Sequence, residues 1–292
     1  MGSGQSTLVV GATGKQGGAV AKELLRGGFA VRALTRDPTS PAASKLAERG
    51  AEIVRGDLDV REDLERAVQG VDAVFSVQDP WAHGEASEIR QAALLAEIAN
   101  AAGVRRFVQA SVAAADLPTG LPHFESKGVI ERHLATLGMD AYAIRPVFFM
   151  ESLVERHHRI APLILGMLKL GLGDRALQLI SVRDIGRTAA EAILAPDEPP
   201  GLKVINLAGD ELTFSEIISA FERATGAAPK VSDVQWADVR RIEERAYLNY
   251  RWMGEHGWSF NLDAQRAERP WLERFEDRLR REVDDTAGAP AA

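Results

Sequence analysis

A glycine-rich segment near the N-terminus is the part of this sequence most directly tied to chemistry. Residues 9–18 read Val-Val-Gly-Ala-Thr-Gly-Lys-Gln-Gly-Gly, between a β-branched run and a helix-like run at 19–25. In a strand, turn and helix of this order, backbone N–H groups and the positive end of the helix dipole face an anion. Glycines are needed because a Cβ would hold a pyrophosphate away from the backbone. The segment predicts a dinucleotide site, with an ordinary tight turn as the alternative.

The expected cofactor contacts follow one another along the turn and the first helical residues. They are Gly11, Ala12, Thr13, Gly14, Lys15, Gln16 and Gly17. The glycine spacing is G-x-x-G-x-x-G instead of the usual G-x-G-x-x-G. This variant is similar to that of the extended and atypical short-chain dehydrogenase/reductases.

Two charged residues after the second predicted strand bear on the choice between NADP(H) and NAD(H). Arg36 can bind a 2′-phosphate through its planar guanidinium, whereas Asp37 could accept a hydrogen bond from a 2′-hydroxyl. A solvated loop in which Arg36 pairs with Asp37 is the alternative. Lys45 could add charge to the same phosphate or lie in solvent. We favour NADP(H), with NAD(H) as the other option.

Asp57 and Leu58 follow the third predicted strand and are candidates for the same cofactor site. An acidic side chain at residue 57 can accept a hydrogen bond from the adenine amino group. Asp57 could equally be the N-cap of the next helix, since aspartate caps helices well, and one residue could serve both roles.

The elements that position these residues alternate between strand and helix through the first half of the chain. We predict strands at about 7–11, 30–34, 52–55, 72–76, 106–110 and 141–144, with helices at about 15–26, 41–49, 61–69, 85–102 and 122–137. Such alternation indicates a parallel sheet with helices on both faces, and ligands then bind beyond the carboxyl ends of the strands. After residue 146 the pattern changes. A helix to about 194, a strand at 203–207 and a capping box at Thr213 and Glu216 are the clearest later signals.

Composition excludes several classes of protein. The chain has 292 residues, 46% of them hydrophobic, so it can form one large domain or two unequal lobes. A net charge of −7 disfavours binding to nucleic acids and to anionic membranes.

The sequence has no cysteine, and the adjacent His157 and His158 lack metal-site spacing, so we expect no metal. No signal peptide and no apolar run of about 18 residues is evident, residues 160–172 being too short, and we therefore expect a cytoplasmic protein.

Several motifs together resemble the NmrA-like family of atypical short-chain dehydrogenase/reductases. They are the glycine-rich segment 11–18, Arg36-Asp37-Pro38, residues 56–59, His123-Phe124-Glu125-Ser126-Lys127 and residues 145–151. The resemblance covers roughly 5–260. It implies a Rossmann-type, doubly wound α/β domain over 1–150 and a smaller C-terminal α+β lobe over 151–292, with parts of 180–208 returning to the first domain. It also implies NADP binding.

Short-chain dehydrogenases use Tyr-x-x-x-Lys, but His123 stands here four residues before Lys127. By resemblance Lys127 binds the nicotinamide ribose, the alternative being a surface lysine. An imidazole, with an ordinary pKa near ~6.5, could act as the general acid, or His123 could simply begin a helix. Ser111 occupies roughly the position of the catalytic serine, or it binds backbone at a strand end. Tyr142, Tyr247 and Tyr250, the only tyrosines, do not replace the missing residue.

Three apolar residues after Pro146 are candidates for the substrate pocket. Phe148, Phe149 and Met150 would wall the nicotinamide and exclude water. Ordinary core packing is an equal alternative.

Two functions are compatible with the absence of the Tyr-x-x-x-Lys tyrosine. One is an NADPH-dependent reductase of a quinone or an activated carbonyl or alkene, since a reduced quinone is a weak base that needs little help from a protein acid. The other is a non-catalytic NADP(H) redox sensor that regulates a protein partner. A homodimer is also an option, because the helix at 85–102 has small residues at Ala86, Ala93 and Ala96.

Overall fold

A seven-stranded sheet is the main element of the computed structural model, which describes residues 5–154 and 159–287. In chain order the strands are β1 (Ser6–Val9), β2 (Ala30–Thr35), β3 (Glu52–Arg55), β4 (Ala73–Ser76), β5 (Arg106–Ala110), β6 (Asp140–Pro146), β7 (Phe148–Phe149), β8 (Ala176–Ile180), β9 (Gly201–Leu207) and β10 (Asp210–Thr213). The sheet order is β3-β2-β1-β4-β5-β6-β9, and the pairings from β3 to β6 are parallel. The chain thus winds outward in both directions from β1 and β4, as a doubly wound sheet requires.

Helices alternate with the strands along the chain or follow them. They are α1 (Lys15–Arg26), α2 (Pro41–Ala47), α3 (Arg61–Val68), α4 (Pro80–His83), α5 (Glu85–Ala101), α6 (Pro122–Thr136), α7 (Ala161–Leu172), α8 (Val182–Leu194), α9 (Phe214–Thr225), α10 (Trp236–Ile242), α11 (Glu244–Glu255), α12 (Leu262–Glu268) and α13 (Phe275–Ala287), with a short 3-10 helix at Met150–Leu153. The predicted Rossmann-type fold is confirmed. No helix in the described ranges is long and apolar enough to cross a membrane.

One face of the sheet packs against α3, α5 and α6 and forms a continuous apolar core. Leu8 of β1, Phe107 of β5 and Leu95 of α5 are completely buried in it. Ala96, one of the small residues on α5, also lies in this core, whereas Ala86 is exposed. The core holds the carboxyl ends of the strands in a fixed arrangement, and these ends carry the candidate site.

The chain divides into two compact units. The first comprises the residues up to Arg145 together with Ile185–Ile205, and the second comprises Pro146–Asp184 and the residues from Asn206 onward. In the second unit β8 pairs with β10 in antiparallel and with β7 in parallel orientation. Helix α9 packs on α13, and α7 packs on α11.

The periodic part of the sequence predicts its elements to within a few residues, and the second unit is less well predicted. The capping box is confirmed: Thr213 Oγ1 accepts from Glu216 N at 3.3 Å, and Glu216 Oε2 accepts from Thr213 N at 2.8 Å. Strands β7, β8 and β10 and helix α7 were not assigned from the sequence. Each of these strands has only two to five residues, too few for a period of two to stand out.

Asp184 in the second unit makes the stability of the protein depend on pH. Burial raises the pKa of this carboxyl from 3.8 to about 6, although Glu273 N–H donates to Oδ2 at 2.7 Å. A raised acid pKa stabilises the folded state at low pH, and this contribution is lost as the pH rises from about 4 through 6.

We therefore expect Asp184→Asn to stabilise the protein more at pH 8 than at pH 4. One pKa unit corresponds to about 1.4 kcal/mol, so the difference should approach about 3 kcal/mol. An asparagine Oδ1 can still accept from Glu273 N–H, so the local structure should persist. Urea unfolding of both proteins across this pH range measures the effect, and parallel stability curves would contradict it.

Candidate functional site

The glycine-rich segment folds as a tight turn between β1 and α1. Gly11 has φ +64°, a left-handed conformation, and its carbonyl accepts from Gly14 N–H at 2.9 Å. A Cβ on Gly17 would lie 2.4 Å from the Gly11 carbonyl oxygen, so helix and turn approach each other too closely for any side chain. Gly17 is thus required by packing, whereas Gly14 borders open space: its Cβ would meet only the Gly11 oxygen, at 3.3 Å.

The N-terminus of α1 has the features of an anion site. No side chain caps it at Gly14, and its first turn contains no acidic residue. Gln16 Oε1 is buried there without a hydrogen-bond partner in the described part of the chain. Thr13 and Lys15 are exposed, whereas Ala12 is buried and can contribute only its backbone. These residues fit a bound diphosphate through a glycine turn and uncapped N–H groups.

A cleft of about 500 Å³ lies beside this turn, at the carboxyl ends of the first four strands. Its apolar walls are Val10, Leu34, Leu58 and Val77, and its polar lining includes Thr13, Arg36, Asp37, Ser40, Asp57, Gln78, Asp79, His83 and Gln91. The cleft thus brings Gly11 and Thr13 of the turn together with Arg36, Asp57 and Leu58, as the sequence predicts. Ser40, His83 and Gln91 were missed, because nothing local marks them.

Asp37 and Arg36 do not pair within the described residues. Asp37 Oδ1 instead accepts from Thr39 N at 2.9 Å and from Thr39 Oγ1 at 2.6 Å. These bonds hold the pKa of Asp37 below its usual value. The Arg36 guanidinium is exposed at the cleft and no ion pair of it is found in this part of the chain. The Asp37 carboxylate thus accepts its hydrogen bonds from within its own turn, and the Arg36 guanidinium remains available to a ligand.

Asp57 is not a helix cap, so this alternative is wrong. Helix α3 begins after Val60, whose side chain cannot cap. Asp57 Oδ1 accepts from Asp59 N at 3.0 Å, and Asp57 N–H donates to Asp63 Oδ2 at 2.9 Å. Three further residues separate the aspartate from the helix, because its side chain stabilises a turn of its own.

Lys127 is buried on α6 and is not a surface lysine. Its Nζ lies 2.6 Å from Glu88 Oε1 on α5, and the Ser126 hydroxyl donates to Glu88 Oε2 at 2.5 Å. Glu88 is completely enclosed. Nothing in the sequence marks Glu88 as this partner, because it lies 39 positions from Lys127 on a helix that carries other acidic residues. The pair holds the Lys127 ammonium in one place.

His123 lies in the first turn of α6, packed among aromatic rings. Its imidazole centroid is 5.1 Å from the Trp81 ring and 4.8 Å from the Phe124 ring. Because His123 precedes Lys127 by four residues, both lie on one side of the helix.

Ser111 follows β5 and takes part in a buried ionic network. Its hydroxyl donates to Glu131 Oε1 at 2.5 Å. Arg145 donates to the same carboxylate, from Nε at 2.9 Å and from Nη2 at 2.5 Å. Arg145 also pairs with Asp116 at 2.9 Å. The structure therefore gives the Ser111 hydroxyl a partner within the protein, and its catalytic role stays a prediction.

The candidate pocket residues Phe148, Phe149 and Met150 lie in the second unit. Met150 has no exposed surface, which makes it a core residue there and favours the alternative of ordinary packing. Phe148 and Phe149 form β7 and are half-buried, and Phe148 lies 6.3 Å edge-on from Tyr250. Burial raises the pKa of the Tyr250 hydroxyl.

A buried polar chain that the sequence did not single out extends from the cleft. Gln109 Nε2 donates to Gln78 Oε1 at 3.1 Å, and Gln78 Nε2 donates to Ser76 Oγ at 2.8 Å. Gln78 lines the cleft. Polar residues at the ends of apolar strands are the signal that could have identified them. No group of metal-ligating side chains is found within the described ranges, and His157 and His158 lie outside them.

Comparisons with known proteins agree with this architecture. The family model of the NmrA-like family matches residues 4–270. An NAD(P)H azoreductase from Xenophilus azovorans is 30% identical over 222 residues, which cover 75% of this chain and 73% of the azoreductase.

Solved structures show the same fold at lower identity. The triphenylmethane reductase of Citrobacter sp., complexed with NADP(H), has a TM-score of 0.76 at 20% identity, covering 94% of this chain and 99% of the reductase. NmrA, a negative transcriptional regulator in complex with NADP, also has a TM-score of 0.76, at 18% identity and 98% coverage of both chains. The family match extends over nearly the whole chain, and the resemblance in its motifs is confirmed: this protein belongs to the NmrA-like family.

Proposed function

We propose that this protein binds NADP(H) and reduces a small conjugated acceptor, a quinone or an activated carbonyl or alkene. The observation that carries the proposal is the uncapped, glycine-lined start of α1 beside a cleft that contains Arg36. The 30% identity to an NAD(P)H azoreductase supports reduction of a conjugated molecule. When bound, NADPH supplies a hydride to such an acceptor.

Each part of the cofactor has residues suited to it. Amides of the turn from Gly11 to Gly17 would bind the diphosphate. Arg36 would bind the 2′-phosphate, and Asp57 with Leu58 would contact the adenine. Lys127, held by Glu88, would bind the nicotinamide ribose.

The chemistry left to the protein is modest when the acceptor is a quinone. Reduction places negative charge on an oxygen, and the charge is spread over a ring that is a weak base. The buried Lys127 ammonium can stabilise that charge, and His123 on the same side of α6 is the candidate proton donor. The absence of the usual tyrosine is therefore compatible with turnover.

Arg36→Ala should weaken NADPH binding much more than NADH binding. A guanidinium–phosphate hydrogen bond contributes about 1.5–3 kcal/mol, so we expect a loss of about tenfold or more in NADPH affinity. NADH lacks the 2′-phosphate and should bind almost as before. Fluorescence titrations with both cofactors measure this, and equal weakening of the two would refute the assigned role.

The first test of the function is NADPH oxidation across a panel of quinones, aldehydes and enones. Lys127→Ala alone would leave the enclosed Glu88 without its cation, which is strongly destabilising. The double variant Lys127→Met with Glu88→Gln removes both charges and should fold but lose turnover. Lys22→Ala, on the exposed side of α1, is the matched control and should retain it.

The alternative is a non-catalytic NADP(H) sensor that regulates a protein partner. The fold shared with NmrA, a transcriptional regulator that binds NADP, favours it as the second candidate. Normal NADPH binding without turnover of any acceptor would contradict the reductase and favour the sensor. A small-molecule substrate and a regulated protein are thus alternative partners.

A further inference from the structure

The short helix α4 presents a tryptophan at the surface of the first unit. Trp81 is 50% exposed, although tryptophan is usually buried for most of its area. Its backbone is held by Asp79, whose Oδ1 accepts from Trp81 N at 3.0 Å and from Ala82 N at 3.2 Å. A capped helical turn therefore holds the backbone that carries the indole.

The indole belongs to a row of aromatic rings. The Trp81 and His123 ring centroids are 5.1 Å apart with planes inclined by 48°, and His123 meets the Phe124 ring edge-on at 4.8 Å. Phe124 is buried and anchors the row to the core. The Trp81 and His123 rings thus form a tilted aromatic surface that the buried Phe124 anchors.

This surface is connected both to residues that line the cleft and to the helix that carries Lys127. Asp79 and His83, on either side of Trp81 in the chain, line the nucleotide cleft. His123 stands one helical turn before Lys127, on the same side of α6. A molecule resting on the Trp81 and His123 rings would therefore lie next to segments that line the cleft and on the side of α6 that carries Lys127.

We propose that the Trp81 and His123 rings form the binding surface for a planar aromatic acceptor, which stacks on the indole. Electron-poor rings such as quinones are attracted to the electron-rich indole face, and the contact also removes apolar area from water. The assignment rests on the proposed reductase function for its chemistry, but acceptor binding can be measured without turnover. An acceptor site of this kind would prefer extended aromatic acceptors to small aliphatic ones.

The test is calorimetric titration of a naphthoquinone into the protein saturated with oxidised NADP, where no reduction occurs. Trp81→Ala should raise the dissociation constant of the naphthoquinone about tenfold, and Trp81→Phe should raise it only about twofold. Leu117→Ala, which removes another exposed apolar side chain of the same unit, is the matched control and should change nothing. NADP affinity should be the same in all four proteins.

The outcomes separate this inference from the proposed function. Unchanged naphthoquinone affinity in Trp81→Ala with intact NADP binding, or no naphthoquinone binding by the wild type, would overturn the aromatic surface. Equal losses for naphthoquinone and cyclohexenone would also overturn it, because stacking discriminates by ring area. Wild-type binding without turnover would instead contradict the reductase and leave the aromatic surface supported.

Discussion

Replacing Gly14 with valine is expected to abolish NADP(H) binding while the protein remains folded. The backbone at Gly14 has φ −94° and ψ −173°, an extended conformation that any residue can adopt. The new side chain would project where the diphosphate must approach the amides. A hydrogen bond to a charged group contributes about 1.5–3 kcal/mol, so loss of two would weaken binding by at least about a hundredfold.

A neighbouring glycine, Gly17, is required by packing and gives the comparison for stability. Gly17→Ala would place a Cβ 2.4 Å from the Gly11 carbonyl oxygen, and backbone cannot yield as a flexible side chain can. We expect it to lower the free energy of unfolding by about 1–3 kcal/mol, against about 1 kcal/mol or less for Gly14→Val. Thermal unfolding and NADPH titration of both variants test this. NADPH affinity retained in Gly14→Val would contradict the anion site.

Arg106→Ala is expected to destabilise the first unit by about 3–5 kcal/mol. The guanidinium is completely buried in β5, donates to Asp140 Oδ2 from Nε at 2.8 Å, and lies 5.4 Å from the Tyr142 ring. It also donates to four carbonyls at and just beyond the end of α8, those of Ala192, Ile193, Ala195 and Pro196. Burial raises the pKa of Asp140, but bonds from Lys203 and Arg106 outweigh it and lower the value. Removing Arg106 leaves buried acceptors without donors.

The adjacent arginine provides the matched control. Arg105 pairs with Asp197 at 2.5 Å, but that carboxylate is 79% exposed. A pair of this kind contributes about 0–1 kcal/mol, so Arg105→Ala should be nearly neutral. Urea unfolding of both variants measures the difference, and equal losses would show that burial of the guanidinium does not govern its contribution.

Much of the first unit was predictable from the sequence because its signals are local. The glycine spacing, the apolar strand runs and the glycine stops lie within short windows, and helix α1 and strands β3 and β5 occur where the pattern places them. The short strands β7, β8 and β10 lack such a window. They exist because each finds a partner strand elsewhere in the chain.

The fold class, the glycine-rich turn before α1 and the charged residues around the cleft could all be recognised from the sequence. How those charges are used depends on the tertiary structure. Glu88 became the partner of Lys127 across two helices, the Asp37 carboxylate was occupied by Thr39, and Asp57 stabilised its own turn instead of a helix. The physical reason is distance: turns and periodicity are set by neighbours within a few residues, whereas the pairing of a buried charge depends on which helices the core brings together.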